Sequence, residues 1–204
     1  MNVSESKIDF SFGAEYADNV LKYDETDYYQ KLFSAQPGNK AVDFIAASAK
    51  RILLIEVKNC LGNEAGNRWR ISNDNKKRDT IPTDHDIADR DSLDIEVSQK
   101  ACMTLAALLG VYSQPNPQTL VADCIPFAKA ICSPGVMNHS TVINVILVLD
   151  GRFGCHTRND DIIRLEIQRS LKKKLKWLKC EVLVTDSTSL ANAGLGVSAL
   201  QCAT

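Results

Sequence analysis

AVDFIAASAKRILLIEVK, residues 41–58, decides how this chain folds. Two apolar runs, Ala41–Ala47 and Ile52–Lys58, stand on either side of Ser48–Arg51. Read as an antiparallel hairpin with Ser48–Arg51 in the turn, facing positions sum to 99, so Asp43 lies across from Glu56. Side chains two apart on a strand share a face, so Lys58 points the same way as Glu56. The rest of that face is apolar (Ala41, Ile45, Ala47, Ile52, Leu54), and so is the other (Val42, Phe44, Ala46, Leu53, Ile55, Val57). A sheet apolar on both sides is covered on both sides. Two carboxylates and an ammonium at one end of such a sheet need a chemical reason.

Opposed strand residues have Cβ atoms ~4.5–5.5 Å apart, where like charges repel. Desolvation sharpens the conflict and drives a proton onto one carboxyl. A Mg²⁺ between Asp43 and Glu56, with Mn²⁺ as its substitute, removes it, because Mg²⁺ takes one or two protein carboxylates plus waters. The Val57 carbonyl offers a third oxygen. Lys58, beside such an ion, is placed to hold a water or help deprotonate it for in-line attack on phosphorus. The competing reading of the same residues is a structural ion pair, with Lys58 bridging two carboxylates at a wet sheet edge. Cys60 falls to packing, since Mg²⁺ sites use oxygen.

Bulk properties narrow the function. A chain of 204 residues accommodates one domain, 1–204, with one insertion. The net charge of −1 excludes a strongly basic nucleic-acid coat, so any such binding is local. Seven cysteines without CxxC spacing and an N-terminus without a signal pattern read as reduced thiols and a cytoplasmic location. No apolar run approaches the roughly 20 residues of a membrane span, so no membrane partner is expected.

Outward from the hairpin, Ser11 caps a predicted helix over Phe12–Tyr23, with Ala14, Ala17, Val20 and Leu21 inside. Lys31–Ala35 reads as a short strand before the Pro37-Gly38-Asn39 turn. Residues 61–91 form a polar insertion without sustained periodicity, a loop or flap. The stripe Leu93, Val97, Ala101, Leu105 and Leu108 predicts a helix over Leu93–Leu109. Pro126 argues against one helix over Thr119–Cys132. Val142–Leu149 suits a central strand, Asp160–Leu178 a helix charged to match its macrodipole, and Cys180–Thr185 a last strand. The small-residue tail carries no assignment. The sum is an α/β sandwich around a mixed sheet, with helices on both faces.

Val42-Asp43, followed after a short hairpin by Ile55-Glu56-Val57-Lys58, resembles the PD-(D/E)xK nuclease superfamily, which has the restriction-endonuclease-like fold. The resemblance covers Phe12 to about Leu109 in element order, and Val142–Leu149 could complete the core sheet. The Pro of the motif's name is Val42 here, a departure of turn shape and not of chemistry. By this resemblance Asp43 and Glu56 bind metal, Lys58 serves catalysis, and the substrate is nucleic acid, DNA rather than RNA. The helix after the E-x-K strand sends polar groups to the site in many members. Glu96, Gln99 and Lys100 share one face there, with Gln99 or Lys100 touching the scissile phosphate, or else the three form a solvated strip. Glu15 corresponds to an extra acid near the metal in some members, or else it faces solvent. Arg68-Trp69-Arg70 and Lys76-Lys77-Arg78, in the insertion leaving the site, would grip phosphates and stack a base, or else sit on a mobile loop. Relatives that cut both strands pair up, so a homodimer or a partner protein is a further implication. A catalytically silent module of the same fold, which binds or regulates without turnover, is the rival reading.

Overall fold

A computed structural model, which describes residues 1–80, 90–114 and 119–202, contains two sheets. The chain opens with β1 (Asn2–Glu5), β2 (Ile8–Phe12), β3 (Val20–Lys22) and the short helix α1 (Asp27–Lys31). The hairpin β4 (Phe44–Ala47) and β5 (Arg51–Asn59) follows, then α2 (Glu64–Asn67) and the long α3 (Leu93–Tyr112). Next come α4 (Ile125–Ile131), α5 (Pro134–Met137) and β6 (Val142–Asp150). The chain closes with α6 (Asp160–Lys174), β7 (Cys180–Thr185) and β8 (Val197–Gln201).

The hairpin has the expected register: Phe44 faces Ile55, Ile45 faces Leu54, Ala46 faces Leu53 and Ala47 faces Ile52. It sits in a five-stranded mixed sheet of order β3-β4-β5-β6-β7, antiparallel from β3 to β5 and parallel from β5 to β7. β6 is the buried central strand that its run of Val and Ile predicts.

One face of this sheet carries Ile45, Ala47, Ile52, Leu54, Val145 and Leu147 and packs under α3, α4 and α6. The opposite face carries Phe44, Ala46, Leu53, Ile55, Val57 and Val148. Here the expectation of helices on both faces needs correcting. That second face is covered by a three-stranded antiparallel sheet, β1-β2-β8, through Ile8, Phe10, Phe12 and Val197. The reason is topological. The steps β5→β6→β7 move in one direction across the sheet, and right-handed crossovers moving one way put their helices on one side. Something else has to cover the far side. Phe10 and Phe44 join the two sheets with ring centroids 5.2 Å apart, a contact worth about 0.5–1.5 kcal/mol beyond its area.

The predicted helix over Phe12–Tyr23 is absent. Ile8, Phe10 and Phe12 alternate buried and exposed as β2, and a single 3₁₀ turn (Ala14–Tyr16) leads to β3. Asp18, at φ 62°, holds a left-handed position that no helix interior tolerates. Lys31–Ala35 is helical and not a strand: α1 ends there in a 3₁₀ turn, capped at its start by Thr26, whose hydroxyl accepts from the Tyr29 N–H. The helix expected to reach Leu178 stops at Lys174.

Thr119–Met137 corrects another expectation. At 19 residues and a mean hydropathy of 1.4 it is long and apolar enough, by length and composition, to cross a membrane. It is broken into a 3₁₀ segment, α4 with Pro126 in its first turn, and α5 begun by Pro134. Val121, Cys124, Phe127 and Ala128 are buried in the helix-side core.

The insertion is docked and not a loose flap over the residues described. Trp69, Arg70 and Ile71 are buried, and the Arg70 carbonyl accepts from the Leu93 N–H at 2.8 Å. The Asp74 N–H donates to the Asp94 carboxylate and the Asn75 N–H to the Ser92 hydroxyl. Residues 81–89 of the expected insertion lie outside the described residues.

Candidate functional site

Strand alternation carries Glu56 to the helix-covered side of β5, the side of Ile52 and Leu54, where it is fully buried. Asp43 lies one residue ahead of β4 and is tied at two points. Its carbonyl accepts from the Tyr23 N–H at 2.8 Å, and its Oδ2 accepts from the Val57 N–H at 2.7 Å. Lys58 Nζ and Lys100 Nζ both donate to Glu56 Oε1, each at 2.7 Å. Lys100 Nζ also stands 3.8 Å from Asp43 Oδ1.

The roof of the site is α3. Residues four apart on a helix share a ridge, and Glu96, Lys100 and Thr104 form one. Glu96 Oε1 accepts from Lys58 at 3.1 Å, and its Oε2 accepts from Arg70. Thr104 Oγ1 accepts from the Val42 N–H at 3.1 Å, which pins the chain as it enters β4. Arg70 is itself oriented by Asn67 Oδ1 and the Asp91 carbonyl, each at 3.2 Å. Asp43, Glu56 and Glu96 thus face Lys58, Lys100 and Arg70, three acids against three bases.

The charges are not equally content. Burial, followed by the neighbouring Glu56 carboxylate, pushes the Asp43 carboxyl up to about 7, against the pull of Lys100 and Lys58. Burial acts the same way on Glu96, but Lys58 and Arg70 outweigh it and hold that carboxyl down at about 2. Burial works against the Lys58 ammonium, yet Glu56 and Glu96 leave its pKa well above the ordinary lysine value. Glu56 Oε2 is buried and has no hydrogen-bond partner among the described residues.

That orphaned oxygen is the test for a metal. A buried carboxylate oxygen without a partner costs about 1–3 kcal/mol or more, and the ion pair of Asp43 Oδ1 with Lys100 is long, at 3.8 Å. No group of three or more His, Cys, Asp or Glu is placed to hold a metal ion by itself among the described residues. A zinc-type cage is therefore absent among them, but Mg²⁺ needs only one or two carboxylates with waters. On a strand a residue's N–H and C=O face the same neighbour. The Val57 carbonyl therefore lies on the Asp43 side, as its N–H does. The residues fit Mg²⁺: hard oxygens from Asp43, Glu56 and Val57, one of them unpartnered.

The other predicted residues divide. Glu96 and Lys100 enter the site through both of their charges. Gln99 is half-buried beside them and has no hydrogen-bond partner among the described residues. Glu15 does not join the site, because its carboxylate lies against the backbone of Gly13 and Gly196. Arg70 and Trp69 are 4% and 7% exposed, so neither is presented for phosphate or base. Arg68 donates to the Phe153 carbonyl at 3.0 Å, and Arg78 pairs with Asp91 at 3.2 Å. Lys76 and Lys77 are exposed, and Lys77 has a partner of its own.

Two groups near the site have no counterpart in the sequence reading. Asp24 has a buried Oδ1 without a partner among the described residues, and burial followed by Glu5 raises its carboxyl, with Lys22 and Lys100 pulling the other way. The Tyr29 hydroxyl is raised by burial, with Lys100 opposing and Asp24, Glu56 and Asp43 adding to the rise. Both follow Tyr23, which is bonded to Asp43. Only that pairing brings them near, and nothing local in the polar stretch Asp24–Gln30 signals it.

No curated protein matches the chain, and no solved structure does. One family, described as a family of unknown function (DUF6661), matches residues 26–195. The span takes in β4 to β7 and all six charged residues of the site, from Asp43 to Lys100. It covers most of the chain, and the protein belongs to that family.

Proposed function

We propose that the site is the centre of a metal-dependent nuclease that hydrolyses phosphodiester bonds in nucleic acid, DNA rather than RNA, with Mg²⁺ or Mn²⁺. The observation that carries this reading is the unpartnered Glu56 Oε2 beside Asp43, with two ammonium groups at the C-terminal end of β5. Asp43, Glu56 and the Val57 carbonyl would hold the ion. When bound it supplies the positive charge that offsets the phosphate's and makes water a usable nucleophile at neutral pH.

The chain's own groups have distinct tasks. With the Glu56 charge engaged elsewhere, Lys58 and Lys100 become free to meet phosphate oxygens. Glu96, itself held by Arg70, keeps Lys58 from swinging away. Without an ion, Glu56 and Glu96 hold the Lys58 ammonium in its charged form; with Glu56 turned to the ion, Lys58 would hold the attacking water or help to deprotonate it. The Gln99 amide is free to orient a phosphate or its water.

One observation favours a second reading, a catalytically silent binding or regulatory module. Three acids and three bases already close on one another without an ion. The same resemblance implies a homodimer or a partner protein, and seven free thiols fit a cytoplasmic location. Incubating the pure protein with plasmid, linear and single-stranded DNA, with Mg²⁺ or Mn²⁺ and then with EDTA, separates the readings. The nuclease reading expects metal-dependent cleavage that Glu56→Ala or Lys58→Ala abolishes while the fold survives. Silence of the unaltered protein on every substrate favours the module.

A further inference from the structure

A second set of charges faces a recess on the other flank of α3. Asp94 and Glu96 lie two residues apart on its first turn, so they point about 200° apart. Glu96 reaches Lys58, whereas Asp94 accepts from Ser170 at 2.7 Å and pairs with Lys174 at 3.0 Å, both on α6. Between α6 and residues 71–76 lies a cavity of about 650 Å³, the size of a site for a multi-atom ligand and not for one ion. Its cations are Lys76, Arg158, Arg169, Lys173 and Lys174.

Among the described residues, acids engage only two of them. Arg158 pairs with Glu166 at 2.8 Å, and Lys174 pairs with Asp74 and Asp94. Lys76, Arg169 and Lys173 have no hydrogen-bond or ion-pair partner among the described residues. Arg158 Nε is a buried donor without an acceptor among the described residues. In a chain of net charge −1, three unpaired cations and one unmet guanidinium donor around a single hollow form a local positive field. Arg169 and Lys173 are four residues apart on α6, hence about 6 Å apart along its axis. Two neighbouring phosphates of a nucleic-acid backbone fit such a span.

We propose that this recess is a phosphate-binding groove that holds the backbone of a nucleic acid. The choice of nucleic acid over another polyphosphate rests on the nuclease reading of the Glu56 site; the anion preference of the groove does not. Groove and site flank one turn of α3, whose width with side chains is about 10–12 Å. Trp177, 71% exposed just beyond the end of α6, offers a ring on which a base can stack.

The test measures binding of a short labelled DNA, single-stranded and duplex, by fluorescence anisotropy, with the full chain in EDTA so that cleavage plays no part. Arg169→Glu with Lys173→Glu is compared with Lys50→Glu plus Lys129→Glu, an equal charge change on exposed lysines outside the groove. Neither pair removes an ion pair, and circular dichroism verifies the fold of both. The groove pair weakens binding roughly tenfold or more and lowers the slope of log K against log salt by about 0.7–0.9 for each lost contact. The control pair leaves most of the affinity. No DNA binding by the unaltered chain overturns the proposal, as does equal binding by the groove pair or an equal loss in the control pair. Groove-dependent binding without metal-dependent cleavage keeps the groove and removes the nuclease reading.

Discussion

Replacing Asp43 by its neutral isostere, Asp43→Asn, should make the metal-free protein more stable. In an unfolded chain an aspartate titrates near 3.9, whereas burial and Glu56 raise Asp43 to about 7. Below pH 4 both states hold the proton and the residue costs nothing. As pH rises the unfolded chain releases its proton first, so the folded state loses stability until Asp43 itself ionises near 7. The penalty then levels off at about three pKa units, about 4 kcal/mol. The amide removes that penalty while its oxygen still accepts the Val57 N–H. Its NH₂ group faces Lys100, 3.8 Å from Asp43 Oδ1, which takes something off the ceiling. For a chain of this size 1 kcal/mol moves Tm by about 2–4 °C, so in EDTA at pH 8 the variant should melt about 5–10 °C higher. At pH 4 the two proteins should differ by less than about 1 kcal/mol. Calorimetric or circular-dichroism melts from pH 4 to 8 read both the size and the trend. A variant that melts lower at pH 8, or a gap independent of pH, refutes the account of how these charges share the site.

Glu56→Gln should do the opposite, although the carboxylates are neighbours: Lys58 and Lys100 lose their common partner, and the expected loss is about 3–5 kcal/mol in EDTA, read by urea unfolding. Glu96 sets the acid limb. Its carboxyl lies at about 2 in the fold, so its contribution is present above the unfolded value near 4.3 and is lost as pH falls towards 2, about 3 kcal/mol in all; Glu96→Gln should flatten that limb. Binding of Mg²⁺ or Mn²⁺ should displace the Asp43 proton. Titration calorimetry in buffers of different ionisation enthalpy should give nearly one proton released per ion at pH 6, a fraction at pH 8, and none for Asp43→Asn.

Much of this site was readable before any coordinates, for a geometric reason. A short turn between two apolar runs leaves one register that keeps the apolar sets paired, and period-two alternation then assigns Asp43, Glu56 and Lys58 to one face. Helical spacing put Glu96 and Lys100 on a common ridge. It did not say that both would reach the sheet, and Lys100, not Gln99, is the residue bonded to Glu56. Arg70 was legible as a charge but not as a buried one. Its place depends on Asn67, one helical turn before it, and on the Asp91 carbonyl and Glu96, more than twenty residues further along the chain.

Local pattern by itself determined the elements whose periodicity is strong and self-contained: the hairpin, α3, the central strand β6, α6 and β7. Tertiary structure alone decided what covers the far face of the sheet. β8 pairs with β2 across almost the whole chain, with Phe12 facing Val197 and Ile8 facing Gln201. An apolar run shows that a face must be buried, but not which distant segment buries it, because that choice rests on strand order and on the one-sidedness of successive crossovers. The same physics governs the charges. Residue identity supplied three acids and three bases, and only the fold decided that Glu56 would keep one oxygen without a partner.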